Sequence, residues 1–388
     1  MRSTRGQNKK AAPKHAKPKK SRISSASGKR SRRTASSRSK KNRFPRWKVA
    51  FIIIGLLLIA GIVALHMYSH PSQIDSSKYT HASQFQNAIV VDGIDVSYAQ
   101  GNGNHINWNK VKRSGVDFVF VRAGYRDSST GKIHKDSQFQ KNIRKARKAG
   151  LLVGAYFYSQ ATTKKEAVKE AKTLLHYVKG HEIDLPLVID YEILNGGRLD
   201  KFISGKKYTA KKGTTIVEHF CSTIRNAGYE AGVYSNYDLL VGSLNSNELA
   251  KKNHIWVANY SKATDYPNKY ELWQASNQSK VDGISKSVDR NFWYFSKGGM
   301  TTYGKRNLGA KSLKYSTVQL KKHSYYYTGN RIEPKLIVKY GKTTLKEDTD
   351  YRVSYIKNAA PGYGYAIITG LGNYKDMRIT RFRIKAIL

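Results

Sequence analysis

Seventeen consecutive positions, Val49 to Leu65 (VAFIIIGLLLIAGIVAL), carry neither a charge nor a polar side chain. At 1.5 Å per residue the run predicts a helix about 25 Å long, at the short end of what crosses a bilayer. Trp47 and Tyr68 stand where interfacial aromatics belong. Farther along the pattern changes. Short apolar runs recur at 88–97, 117–124, 151–159, 185–192, 230–236, 254–260, 270–276 and 286–293. They are rich in Val, Ile, Phe and Tyr and nearly unbroken, which predicts strands buried on both faces and so a mainly parallel sheet. Helical patterns separate the first six, most clearly over 136–149 and 164–179, each closing near a glycine, Gly150 or Gly180. The last three runs stand too close together for full crossover helices. The expected fold is α/β: an irregular (β/α) barrel of eight strands with about five helices over 88–296.

After a Gly- and Lys-rich linker at 297–310, residues 311–388 alternate in the manner of short strands between turn signals such as TGN, APGYG and GLGNY. They predict a small all-β sandwich. Upstream, residues 69–87 read as a linker.

Charge fixes the orientation. The chain has 70 Lys+Arg against 26 Asp+Glu, a net charge of +44. Residues 1–48 contribute 19 of the basic residues and no acid, and they are nearly free of apolar side chains. Such a segment cannot bury enough surface to order itself, so it is expected to be a disordered basic tail. Its charge ahead of the apolar run predicts a cytoplasmic amino terminus, with 49–68 as a single-pass signal anchor. Everything from His66 onward then lies outside the cell membrane, and cleavage of the anchor is the alternative. The tail lacks the aromatic interleaving that stacks bases, so lipid headgroups rather than nucleic acid are its expected partner. A single cysteine, Cys221, excludes an intrachain disulfide. The histidines show no metal-ligand spacing and no serine sits in a nucleophile elbow, so no cofactor or metal is expected.

In a (β/α) barrel chemistry collects at the carboxyl ends of the strands. Asp95, Asp190, Glu192 and Asp289 stand at or near such ends. Asp190 and Glu192 are spaced i, i+2, so strand alternation puts both on one face, about 6–7 Å apart. Two carboxylates confined together repel, and burial raises at least one pKa; one then stays protonated as an acid beside a charged neighbour, as glycosidic cleavage requires. A structural salt bridge or a metal site would use the same pair. Tyr156, Tyr158, Tyr234, Asn236, Trp273 and Gln274 cluster at other strand ends, where rings stack on sugars and amides take hydroxyls; any one of the tyrosines also suits a core.

The stretches DGIDVSYAQG (92–101), INW, FVFVRAGY, GLLVGAYFYS, LVIDYE, VYSN, LWQ and VDRNF together resemble glycoside hydrolase family 25, the lysozymes or N-acetylmuramidases of bacteria and phages. The resemblance implies hydrolysis of the β-1,4 bond between N-acetylmuramic acid and N-acetylglucosamine in peptidoglycan. It makes Glu192 the general acid/base and Asp190 its electrostatic partner. Asp95 and Asp289 complete the acids, and Arg122 of FVFVRAGY joins the substrate-binding set. Two departures stand out: Phe157 where the family often has His, and Arg290 where it often has Leu. The last segment, YTGNRIEPKLIVKYGKTTL through GLGNY, resembles Ig-like repeats of Gram-positive surface proteins, and its excess of basic residues suits either a partner among anionic wall polymers or a spacer with a basic surface. The expected role is remodelling of the cell's own wall. The alternative is a catalytically weak wall-binding or scaffold protein that keeps the cleft.

Overall fold

The computed structural model describes residues 52–59, 75–101, 105–296 and 309–387. The chain divides into two compact units, 1–58 and 59–388. In the first, the described residues are helical, and Ile52, Ile53, Ile54, Leu56, Leu57 and Leu58 are exposed. Among the described residues no helix is long and apolar enough to cross a membrane. The expected basic tail, most of the expected anchor and most of the 297–310 linker lie outside the described residues.

The second unit is built on nine strands: β1 (Ala88–Val96), β2 (Phe118–Arg126), β3 (Ile133–Lys135), β4 (Leu152–Ser159), β5 (Leu187–Tyr191), β6 (Ala231–Asn236), β7 (His254–Ala258), β8 (Leu272–Ser279) and β9 (Val288–Ser296). Eight of them close a ring in the order β1-β9-β8-β7-β6-β5-β4-β2, with β2 returning to β1 and β3 added to the outside edge of β2. Six of the ring's pairings are parallel; β9 is antiparallel to both neighbours. Closing the ring removes the sheet edges that an open sheet would leave unpaired.

Five helices of six residues or more lie between strands: Trp108–Arg113, Phe139–Lys148, Lys164–Val178, Arg198–Ile203 and Ala210–Asn226. Thr163 and Thr209 start the two longest by accepting a hydrogen bond from a first-turn backbone N–H. Gly150 and Gly180 follow the ends of two of them with φ of +84° and +82°, the left-handed region a side chain disfavours.

Strand alternation divides the core. Ile94, Val96, Val119, Val121, Ile189 and their neighbours face outward and meet the helices. Val91, Phe118, Phe120, Val188, Trp256 and Trp293 fill the barrel's lower interior. Gly93 and Gly154 make room there: a Cβ on Gly93 would stand 2.2 Å from the Phe118 ring, and one on Gly154 2.4 Å from Phe120. Where β8, β9 and β1 follow one another without helices, the segment 75–87 covers their outer face. Phe85 stacks on Tyr294 at 3.7 Å, Tyr79 packs edge-on against Phe292, and His81 Nδ1 lies 2.9 Å from the Tyr294 hydroxyl. Read as a linker, residues 75–87 instead pack onto the barrel, because three aromatic side chains find an otherwise bare sheet face. Arg290, buried under this strap, pairs with Asp92 and donates to Ser76 Oγ at 2.7 Å.

The carboxyl-terminal strands are β10 (Lys311–Ser312), β11 (Ser316–Leu320), β12 (Ser324–Tyr326), β13 (Leu336–Tyr340), β14 (Thr343–Thr344), β15 (Tyr351–Ile356), β16 (Gly362–Gly370), β17 (Tyr374–Lys375) and β18 (Met377–Lys385). They form a three-stranded sheet β11-β13-β14, a four-stranded sheet β12-β18-β16-β15 and a short pair β10-β17. Val338 of the first sheet and Ala366 and Ile368 of the second share one apolar cluster. The other face of the four-stranded sheet sits under the barrel, where Ile356, Ile367 and Met377 join the cluster of the lower interior. Polar bonds ring this floor. Arg352 pairs with Asp184 and, at 2.8 Å, with Glu182; buried Lys112 bridges Asp117 at 2.6 Å and the Tyr355 carbonyl at 2.8 Å.

Candidate active site

The upper ends of the ring strands surround a cavity of about 260 Å³ lined by Asp95, Arg122, Tyr156, Tyr158, Asp190, Glu192, Tyr234, Trp256, Tyr260, Gln274, Asn277 and Asp289. Period-two geometry places most of them. On β5, Leu187, Ile189 and Tyr191 pack outward, so Val188, Asp190 and the following Glu192 turn inward. Tyr158 and Tyr234 flank Asp190 as its register partners on β4 and β6. Arg122 stands beside Tyr156, and Asp95 of β1 is paired with Asp289 of β9.

Four carboxyl groups in one cavity can coexist only if neighbours or protons neutralise them. Asp95 Oδ2 accepts from Gln274 Nε2 and Asn291 Nδ2, both at 2.8 Å. Gln274 Oε1 in turn accepts the hydroxyls of Tyr234 at 2.8 Å and Tyr260 at 3.0 Å, and Asn291 Oδ1 accepts Trp256 Nε1 at 2.9 Å. Burial pushes Asp95 up to about 6 against these bonds, which favour its charged form. Asp289 is pushed up to about 8, by burial first and then by the charges of Asp95 and Glu192; its carboxyl also shares a hydrogen bond with Asp95 that keeps the proton on Asp289. Glu192 is raised to about 7, chiefly by burial and next by the Asp95 charge, with Arg122 opposing. Asp190 is raised well above the usual carboxylate range by burial and then by Glu192 and Asp95. Its Oδ1 is buried and makes no hydrogen bond. Arg122 is held by Nε to Asp136 Oδ2 at 2.9 Å, while its Nη2 has no acceptor.

Glu192 is held from behind. Gln160 Nε2 donates to the Glu192 carbonyl at 3.0 Å and lies 3.2 Å from the Tyr158 hydroxyl, while its Oε1 accepts Leu199 N at 3.3 Å. This fully buried amide ties the residue after β5 to the ring wall and to the next helix.

Nine of the eleven site residues expected from sequence line the cavity. Trp273 does not: adjacent residues on β8 face opposite ways, so Gln274 points in and Trp273 points out, against Tyr79 and Phe292, its Nε1 donating to Asn259 O at 2.8 Å. Asn236 is spent on the backbone, where its Oδ1 accepts Leu239 N at 2.8 Å as the chain turns out of β6. Sequence reasoning missed Trp256, Tyr260, Asn277 and Asn291. Alternation along HIWVA, set against Tyr234 one strand away, would have turned Trp256 inward. In VDRNF the same rule puts Asn291 on the Asp289 face. Tyr260 and Asn277 come from irregular ends that periodicity does not reach.

Residues 94–284 match the model of glycosyl hydrolases family 25. The autolytic lysozyme of Clostridium acetobutylicum is 29% identical over 200 residues, 51% of this chain and 54% of that one. Lysozyme M1 of Streptomyces globisporus is 29% identical over 211 residues, 52% of this chain and 67% of its own length. This chain thus spans little more than half of the Clostridium protein. Among solved structures, a bacterial lysozyme from Streptomyces coelicolor is 26% identical, with a TM-score of 0.44 over 54% of this chain and 94% of that one. The stretch of the barrel that carries Asp95, Asp190 and Glu192 is thus similar to glycosyl hydrolases family 25, and Asp289 lies just past the matched residues.

Proposed function

We propose that this chain is a peptidoglycan hydrolase, a lysozyme that cuts the β-1,4 bond between N-acetylmuramic acid and N-acetylglucosamine, with Glu192 as general acid/base and Asp190 as its partner. The observation that carries the reading is Glu192 itself: a carboxyl in the barrel mouth, raised to about 7 beside a second carboxyl whose Oδ1 is buried and unbonded. An acid that keeps its proton near neutral pH can protonate a glycosidic oxygen as the bond to C1 breaks. The free Oδ1 of Asp190 favours a route through the substrate's own 2-acetamido group. A carboxyl oxygen can accept that group's N–H whether or not the other oxygen is protonated. The acetamido oxygen then attacks C1 while Glu192 gives its proton to the departing sugar. In the second half Glu192, now a carboxylate, takes a proton from the water that attacks C1, which breaks the bond between the acetamido oxygen and C1 and restores the acid.

Tyr156, Tyr158, Tyr234, Gln274 and Arg122 would hold the sugar from the cavity wall. The lysozyme names of the relatives and the family match support the same substrate class. The apolar run at 49–65 and the basic residues before it support a place outside the cytoplasm, held at the membrane, where the wall is within reach.

The test is reducing-end release from purified peptidoglycan by the full chain and by Glu192→Gln, with mass spectrometry of the products. A fall of about 10²–10⁴-fold is expected, the usual contribution of a positioned general acid. N-acetylmuramic acid is expected at the new reducing end. Equal rates in the two proteins would remove Glu192 from the role.

A further inference from the structure

One face of the four-stranded sheet β12-β18-β16-β15 is only partly covered. Ile356, Ile367 and Met377 on that face meet the barrel floor. Tyr365, opposite Arg381, packs against the edge of that cluster, and beyond it the face runs on with Tyr363 opposite Arg383 and Tyr326 opposite Lys385. Arg381, Arg383 and Lys385 are exposed, as are Tyr363 and Tyr326. The guanidinium carbons of Arg381 and Arg383 lie 5.0 and 4.9 Å from the Tyr363 ring centre, and Lys385 Nζ lies 5.8 Å from that of Tyr326. The intervening Phe382 and Ile384 point into the module and are buried.

The module's own acids stand away from this face, and the barrel's Asp92 and Asp117, which share a cavity with Tyr363, are paired with Arg290 and Lys112. Glu347, Asp348 and Asp350 stand in the turn entering β15, next to Tyr351 and Gly370, at the far end of the same strands. Asp376 lies at that end too, its carbonyl bonded to Gly370 N, and Glu333 is paired with Arg331. Among the described residues, no carboxylate pairs with the three exposed cations.

We propose that this face docks a phosphodiester polymer of the cell wall, a chain in which phosphates alternate with polyol or sugar units. Arginines stacked on a tyrosine ring lie in a fixed plane with their N–H edges outward, the geometry that grips phosphate oxygens in pairs. Cations at every second position of β18 repeat about every 7 Å, so they meet a repeating anion rather than a single ion. The tyrosine rings between them offer flat contact to the C–H surfaces of the intervening units. A lipid surface would call for aliphatic side chains among the cations, and here those positions turn inward. The proposal does not need the hydrolytic reading to be correct, since its readout is binding.

The experiment uses the full chain and poly(glycerol phosphate), with arginine-directed phenylglyoxal labelling followed peptide by peptide by mass spectrometry. Because the readout is local, polymer held by the basic residues of 1–48 does not contribute to it. Labelling of Arg381 and Arg383 is expected to slow by about five-fold or more at low salt and to recover near 1 M NaCl, as counterion-linked binding requires. Arg331, bonded to Ala149 O and paired with Glu333, serves as the internal reference. Tyr363→Ser is expected to lose most of the protection while hydrolysis of soluble peptidoglycan fragments is unchanged. Labelling that the polymer does not slow would overturn the proposal. So would protection by phosphatidylglycerol vesicles but not by the polymer, or protection that survives Tyr363→Ser undiminished.

Discussion

Asp95 raises Glu192 without touching the scissile bond in the scheme proposed above, which makes it the residue whose charge can be removed most informatively. Burial comes first among the causes that hold Glu192 near 7, and the Asp95 charge comes next. The donor works in its protonated form, so the rate should fall as pH rises through about 7. Asp95→Asn keeps an acceptor for Gln274 and Asn291 but removes the charge. The alkaline limb of the pH–rate profile is therefore expected to move to lower pH, and a limb that stays in place would detach Asp95 from the tuning of Glu192. From sequence, the un-ionised state of Glu192 was assigned to its neighbour at 190. Parity alone brought those two side chains together, but which charge acts most depends on β1 and β5, not neighbours in the ring, both turning a carboxyl into the cavity, and no local spacing encodes that. The same parity, applied to Trp273 and Gln274, would have admitted only one of them to the cavity.

At the scale of elements, the strands were legible because a parallel sheet covered on both faces leaves long β-branched and aromatic runs, and the helix ends because Gly150 and Gly180 punctuate them. The strap 75–87 was not legible as part of the barrel: a short polar stretch with three spaced aromatics has no periodicity to read. Its covering role arises from the helices that β8, β9 and β1 lack. Two contacts between elements carry predictions. His254, at the start of β7, is buried between Glu230 and Glu271 and is raised to about 9 because hydrogen bonds and charges from both carboxylates outweigh its burial. A histidine raised on folding stabilises the native state fully below its unfolded value of about 6.5, and that contribution is lost as pH climbs through the folded value. Denaturant unfolding should therefore show stability declining from about pH 6.5 to about 9, and His254→Gln should flatten that slope. On the floor, Arg352→Ala would leave Asp184 buried with Arg147 as its remaining cation. A loss of about 3 kcal/mol is expected in the same assay, the lower end of what breaking a buried ion pair costs.

Over the whole second unit, barrel and carboxyl-terminal strands share one apolar cluster, so the module is expected to act as part of the barrel's foundation as well as a separate binding surface. Ending the chain after residue 296 would uncover the side chains that Ile356, Ile367 and Met377 now seal. At about 2 kcal/mol for each buried aliphatic side chain, the barrel's thermal midpoint should fall by on the order of 10 °C. A truncated barrel that melts with the parent would show the floor to be closed without the module. From sequence the module read as a separate sandwich after a linker, since Arg352, Lys112 and Asp117 announce their partners only once two distant stretches meet.

The pairing of Asp95 with Asp289 joins the first strand of the ring to its last. A ribosome must therefore finish some 200 residues between these two halves of the acid cluster before either has its mate. Until the final strand slots in, a nascent chain has neither a sealed wall nor a full set of protons to share. A chain assembled this way gains its complete acid cluster only in the step that completes its fold.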